Sequence, residues 1–230
     1  MSKPVQPRDE PESIAPASTD IDVPDTFDNA SRVSPTPVSC AAIVLAAGAS
    51  TRLGQPKQLV LFQGESLLRH AVKLALAVNA SPVLVVLGAH LEKCRAVLVD
   101  LPITILENAD HATGMGSGLQ LGIAALTTFK PGPERVLLLA CDQPLLQPSH
   151  LQQLLRAPTA SGIAAAGYNG RTGVPAVFSQ EHFPALASVT GDQGARTLLR
   201  TLSVTQVSMP EAAIDIDIPQ DLQALATSSK

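Results

Sequence analysis

The sequence has no tryptophan, one tyrosine and five phenylalanines among 230 residues. A core of this chain must therefore be built from Leu, Val, Ile and Ala. Cysteine is scarce too. Cys40, Cys94 and Cys141 lie far apart and form no C-x-x-C pair, the pattern of free thiols in a reducing compartment and not of a disulfide frame or zinc site. The N-terminus lacks the apolar stretch of a secretory signal, and no run reaches the ~20 apolar residues of a membrane span. An excess of cations is missing as well. Residues 1–38 carry three basic and seven acidic side chains, leaving 13 of the 16 basic and 13 of the 20 acidic residues to the rest of the chain. A neutral body argues against sequence-independent nucleic-acid binding, which needs clustered cations. It leaves room for a small anionic ligand held by two or three local charges. These absences predict a soluble, cytoplasmic protein with no nucleic-acid or membrane partner.

What is present falls into two regions. Residues 1–38 mix Pro, Ser and acids with no hydrophobic period, which predicts a disordered acidic tail. The fold is expected from residue 39 to 230, long enough for a real core. "AAIVLAA" (41–47), "PVLVVLG" (82–88), "ITILEN" (103–108) and "RVLLLA" (135–140) read as buried strands. Between them, Leu67, Leu68, Ala71, Val72, Ala75 and Leu76 repeat at helical spacing; further helices are expected over 90–99 and from "GMGSG" to about 126. Ser149 and Gln152 suggest a capping box opening another helix. "GIAAAGYNGRTGVPAVF" (162–178) reads as a hairpin or insertion beside the sheet, "VTQVS" and "AIDID" as further strands, and Pro219 as the start of a last helix. Alternation of strand and helix predicts an α/β fold with a mostly parallel central sheet covered on both faces. Ligands bind beyond the carboxyl ends of strands in such sheets. The polar and glycine-rich features fall there: Gly48 to Lys57, Gly88 and Ala89, Asn108, and Asp142.

The stretch "LAAGASTRLGQPKQL" (45–59) breaks an apolar run with small residues and then presents Arg52 and Lys57. Ala46, Ala47 and Gly48 let a backbone come close to a ligand, and the two cations indicate that the ligand is anionic. It is not a P-loop, since Gln55, Pro56 and Lys57 follow Gly54. "GMGSGLQLG" (114–122) is not a dinucleotide fingerprint either, because the third glycine position falls on Leu119. Asp142 ends the apolar strand "VLLLACD", where an unpaired carboxylate is costly. Either a bound cation or a cap on the following turn removes that cost. Asp215 and Asp217 alternate, so in a strand both would face one side.

The chain resembles the nucleotidyltransferases similar to molybdenum cofactor cytidylyltransferase. "LAAGASTRLGQPKQL" is followed, in family order, by "SLLRHAV", "VVLGAH", "ENADHATGMGSGL", "VLLLACDQPLL", "GVPAVF", "GDQGAR" and "DIDIPQDL", covering about residues 41–227. The resemblance implies a Rossmann-like three-layer fold of the nucleotide-diphospho-sugar transferase kind. It implies a Mg²⁺-dependent enzyme that condenses CTP with molybdenum-molybdopterin, giving molybdopterin cytosine dinucleotide and pyrophosphate, with a recipient molybdoenzyme or its chaperone as a possible partner. Leu45, Ala46, Ala47, Gly48 and Ser50 are then expected against the nucleotide, with Arg52 and Lys57 on its phosphates. Gly88, Ala89 and Asn108 would line the base and ribose pocket, with Gly114 and Ser117 in the loop near the sugar; for the glycines, plain turn chemistry is the alternative. Asp142 and Asp217 would hold the metal, making Arg52, Lys57 and Asp142 the catalytic set. Asp215 either assists or faces solvent, and Asp221 suits the dipole of the last helix. Arg196 meets the acceptor phosphate or lies on a helix surface. His111 and Gly118 depart from the family's usual aromatic and Ser, which affects the shape of that loop. A guanylyltransferase for the same cofactor is the nearest alternative, although that branch usually carries Gly where this chain has Ala47. An enzyme acting on a sugar or alcohol phosphate, and a cofactor-delivery chaperone without turnover, are the others.

Overall fold

The structure, a computed structural model, describes residues 1–2 and 39–221. Residues 3–38 of the expected tail, and the last helix beyond residue 221, lie outside the described residues. Along the chain run β1 (Cys40–Ala46), β2 (Leu61–Phe62), β3 (Glu65–Ser66), α1 (Leu67–Ala77), β4 (Val83–Leu87), α2 (Leu91–Ala96), β5 (Thr104–Glu107) and α3 (Met115–Leu126). There follow β6 (Arg135–Ala140), α4 (Pro148–Arg156), β7 (Ile163–Tyr168), β8 (Arg171–Ser179), α5 (Phe183–Ala187), α6 (Arg196–Thr201) and β9 (Thr205–Ser208). Among the described residues no helix is long and apolar enough to cross a membrane.

Seven strands form one sheet in the order β5-β4-β1-β6-β8-β7-β9, and β2 pairs with β3 in a separate small hairpin. β5, β4, β1 and β6 are parallel neighbours, as are β7 and β9; only β8 runs antiparallel to the strands beside it. The sheet is mostly parallel, as the buried apolar runs required. β1 sits at its centre, and its side chains alternate between two cores. Ala42 and Val44 pack with Leu68, Val72, Leu137 and Leu139 on the face covered by α1, α2 and α4. Ala41 and Ile43 pack with Leu119, Ile123, Phe178 and Leu199 on the face of α3, α5 and α6. Period-2 alternation in a doubly covered strand produces this division. All three cysteines are free, and burial pushes the Cys94 thiol up to about 11.

Three local expectations need correction. The hairpin of β7 and β8 lies within the main sheet and not beside it, because β8 pairs directly with β6, Leu138 opposite Ala176. Its apolar residues, Ala164 to Ala166 and Ala176 to Phe178, are buried and need cover on both faces. The cap of α4 is Gln147, not Ser149: its N–H donates to His150 Nδ1 at 3.1 Å and its carbonyl accepts the His150 N–H at 3.1 Å. Pro148 at the first helical position, with fixed φ and no N–H to satisfy, moves the cap two residues upstream. "AIDID" forms no strand. Pro210–Ala213 is a 3₁₀ turn, and the segment after it joins no ladder. The flanks of β6 are already taken by β1 and β8, so Ile216 instead donates its N–H to the carbonyl of Asp142 at 3.0 Å.

α3 packs tightly on β1. A Cβ placed on Gly122 would lie 2.8 Å from Ile43 Cδ1 and 3.0 Å from its Cγ2. Gly122→Val is expected to lower stability by about 1–3 kcal/mol through overpacking, read as a lower urea midpoint. An unchanged midpoint would contradict this account of the α3–β1 contact.

Candidate active site

The parallel strands deliver their loops to one end of the sheet, and the loop after β1 is held from inside. Gln58 is fully buried although it directly follows Lys57. Its Nε2 donates to the carbonyls of Ala46 at 2.9 Å and Gly48 at 2.6 Å, and its Oε1 accepts from Ser50 Oγ at 3.4 Å. Ser50 adopts a left-handed φ of 54°, and its Oγ accepts the Lys57 N–H at 3.1 Å. The Ala47 carbonyl accepts the Ala89 N–H at 3.0 Å, tying the end of β4 to the same loop. The carbonyls of residues 46–48 are thus engaged by the protein. Among the described residues no acceptor takes the N–H groups of Gly48, Ala49, Ser50, Thr51 or Arg52, and a Cβ on Gly48 would meet nothing within 4 Å. A backbone with free donors and open approach suits an anion.

The charged groups meet beside this loop. Lys57 Nζ donates to Asp142 Oδ2 at 2.6 Å and to Asp217 Oδ1 at 2.9 Å, while Arg52 Nη2 donates to Asp217 Oδ2 at 3.0 Å. The side chains of Lys57 and Asp142 are 19% and 15% exposed, against 74% for Arg52. The Lys57 bridge is therefore largely desolvated, whereas the Arg52 pair is screened by water. Burial alone would depress the Lys57 pKa, but the charge of Asp142 and the hydrogen bonds to both carboxylates raise it above the usual lysine range. Burial opposes ionisation of Asp217 as well; the Lys57 bond and the charges of Lys57 and Arg52 outweigh it and hold that carboxyl below its ordinary value. Asp215 goes the other way, raised by burial and by the charges of Asp142 and Asp217.

Asp142 lies two residues past the end of β6, but Asp217 lies outside any strand and needs other anchors. Ile216 is fully buried in a small cluster with Leu53 and Leu67. Its insertion joins the loop after β1, the start of α1 and the segment bearing Asp217. Asp221 Oδ2 accepts the N–H groups of Asp217 at 2.8 Å and Ile218 at 2.9 Å, so this residue fastens the turn around Asp217 besides suiting a helix start. Gln143 Nε2 donates to the carbonyls of Val174 at 3.0 Å and Ala212 at 2.8 Å, linking the residue after Asp142 to β8 and to the 3₁₀ turn.

Two carboxylates converging on one ammonium define a site for a cation by charge. Among the described residues no group of three or more His, Cys, Asp or Glu side chains is placed to hold a metal ion. The donor set is therefore two carboxylates, all oxygen. It fits a hard divalent ion that draws its remaining ligands from substrate phosphates and water, and no soft-metal centre.

The model of the MobA-like NTP transferase domain matches residues 42–207. The chain belongs to that family. Nicotine blue oxidoreductase of Paenarthrobacter nicotinovorans is 35% identical over 167 residues, 69% of this chain and 80% of that protein. Purine catabolism protein PucB of Bacillus subtilis (strain 168) is 30% identical over 191 residues, 78% of this chain and 92% of its own length. Among solved structures, Rv0371c of Mycobacterium tuberculosis H37Rv superposes with a TM-score of 0.69 at 25% identity, covering 83% of this chain and 98% of that one. The same protein has been crystallised in complex with manganese. This MobA-like chain is accordingly a nucleotidyltransferase by family, built on the nucleotide-diphospho-sugar transferase-like fold that its sequence resembled.

The fold brings Arg52, Lys57, Asp142 and Asp217 into direct contact with one another, and it treats the other anticipated residues more variously. Asn108 is buried; its Nδ2 donates to Ser117 Oγ at 2.9 Å and its Oδ1 accepts the Asp110 N–H at 3.1 Å, so much of its capacity is spent within the loop. Gly88 lies under His111, where a Cβ would come within 2.5 Å of the His111 Cβ. Gly114, at φ 111°, and Gly116 are pressed against residues 189–192, where a Cβ on either would sit under 3.0 Å from backbone. Close packing accounts for these glycines and brings "GMGSG" against the start of "GDQGAR". Leu45 packs at the margin of the core. Arg196 is exposed on α6. Gln58, Gln143 and the Ile216 wedge are the residues that sequence reasoning missed; the only signal was a glutamine directly following each of Lys57 and Asp142.

Two outcomes follow from this construction. Gln58→Leu is expected to cost about 1–3 kcal/mol, because the Ala46 carbonyl is left buried without its donor, measured by urea unfolding. Asp217 has a lowered pKa when folded, so its carboxylate stabilises the protein above the ordinary aspartate value of 3.8 and ceases to do so as pH falls through the folded value. In chelator-treated protein Asp217→Asn is expected to melt below wild type at neutral pH, with the gap closing below about pH 4. A gap independent of pH would contradict the ion pairing.

Proposed function

We propose that this MobA-like transferase moves the cytidylyl group of CTP onto the phosphate of molybdenum-molybdopterin, giving molybdopterin cytosine dinucleotide and pyrophosphate. The observation that carries the reading is the contact of Asp142, Lys57, Asp217 and Arg52 beside a loop whose N–H groups have no acceptor among the described residues. In-line phosphoryl chemistry asks a protein mainly for positioning and charge neutralisation. In this reading the 48–52 amides, Arg52 and Lys57 bind the triphosphate and neutralise the departing pyrophosphate. An oxygen of the acceptor phosphate attacks the α-phosphorus as the bond to the β-phosphate oxygen breaks. That oxygen is already ionised at neutral pH, so no side chain has to remove a proton. Asp142 and Asp217 would hold Mg²⁺, which would supply charge neutralisation for the substrate phosphates. Gln143 keeps Asp142 in register with β8. Ala47, at a position where the guanylyl branch usually carries Gly, supports CTP over GTP, and the acceptor rests on the sequence resemblance.

The test is pyrophosphate release from CTP and from GTP with Mg²⁺ and molybdenum-loaded cofactor. CTP-selective release is expected, abolished by chelation and reduced at least about hundredfold by Asp142→Asn. GTP preference would move the chain to the guanylyl branch. The likeness to Nicotine blue oxidoreductase favours a second reading, a redox activity on the same scaffold. Oxidation of NADH or NADPH by the purified protein, with no pyrophosphate released from any nucleoside triphosphate, would put that reading in place of the first.

A further inference from the structure

Lys57 and a divalent ion have claims on the same carboxylates. The ammonium takes Asp142 Oδ2 at 2.6 Å and Asp217 Oδ1 at 2.9 Å, and the remaining oxygen of Asp217 takes Arg52 at 3.0 Å. A metal ion cannot collect these oxygens while the ammonium stays, because the two cations compete for the same lone pairs and repel each other. We propose that Lys57 is the resident counter-ion of the metal site: in the nucleotide-free protein it competes with the divalent ion for Asp142 and Asp217, and it yields them as it transfers to the incoming triphosphate. This rests on the reading of Asp142 and Asp217 as metal ligands.

Partial burial favours the exchange. With Lys57 19%, Asp142 15% and Asp217 32% exposed, water replaces a departing ammonium only in part, and carboxylates left unpaired there are costly. Replacement of one cation by the other avoids that cost. Arg52, 74% exposed, is screened and gives up Asp217 readily. The Lys57 backbone stays put, since its N–H is bonded to Ser50 Oγ and Gln58 anchors the same turn. Only the flexible four-carbon stem has to swing. Metal and nucleotide therefore bind with positive coupling, each raising the affinity for the other.

The test measures Mn²⁺ binding without nucleotide, by electron paramagnetic resonance of the free ion, on chelator-stripped full-length protein at neutral to mildly alkaline pH. Lys57→Met and Lys57→Gln are each expected to bind Mn²⁺ at least about tenfold more tightly than wild type, and Lys57→Arg to stay weak. Adding Asp142→Asn to Lys57→Met is expected to abolish the gain. Binding by both neutral variants that is no tighter than wild type would overturn the competition. If Asp142→Asn still abolished binding in those variants, the metal-ligand reading would survive that failure. Mn²⁺ binding indifferent to Asp142→Asn in every background would overturn the metal-ligand reading and the competition with it.

Discussion

Asp142 and Asp217 are held together by one ammonium, and the chemistry at this end of the sheet depends on that arrangement. Two carboxylates brought this close repel, and partial burial deepens the cost by removing water. Lys57 offsets both penalties with short hydrogen bonds to each. The cluster sets two cations in contact with two carboxylates, and the N–H groups of residues 48–52, which have no acceptor among the described residues, lie alongside.

Such a cluster survives only on rigid support, and the support is made of unremarked polar and apolar groups. Gln58 secures the loop by satisfying the inward carbonyls of Ala46 and Gly48. Ile216 and Leu53 bury themselves beside Leu67, which draws the Asp217 segment onto the loop after β1. The backbone bond from Ile216 to the Asp142 carbonyl sets the spacing between the two carboxylate-bearing segments. Asp217 lies on no regular element, yet it is held by a buried side chain before it and the Asp221 carboxylate after it. These contacts replace the ladder bonds a strand would have supplied.

Family membership gives the class of reaction while the relatives' names diverge. Relatives named as a purine catabolism protein and an oxidoreductase match this chain over most of its length. A common fold hosts different activities, and the activity depends on the residues placed around it. Here the fold sets two carboxylates and two cations in contact.

Much of the architecture was legible in the sequence because it rests on local period and burial. The continuous apolar runs of β1, β4 and β6 announce strands covered on both faces, and the spacing of Leu67, Leu68, Ala71, Val72 and Ala75 announces α1. The small residues and cations of 45–59 gave the expectation of an anion loop, since backbone access and charge are written locally. Tertiary structure alone decided that Lys57 would lie between carboxylates 85 and 160 residues further along the chain, and that the Asp215–Asp217 alternation would form no strand. It alone decided that Gly114 and Gly116 would be consumed by packing and that Gln58 would be buried. Hydrophobic periodicity repeats within a few residues and survives in the one-dimensional string. Electrostatic pairing and steric approach depend on distances that exist only once the chain has closed on itself.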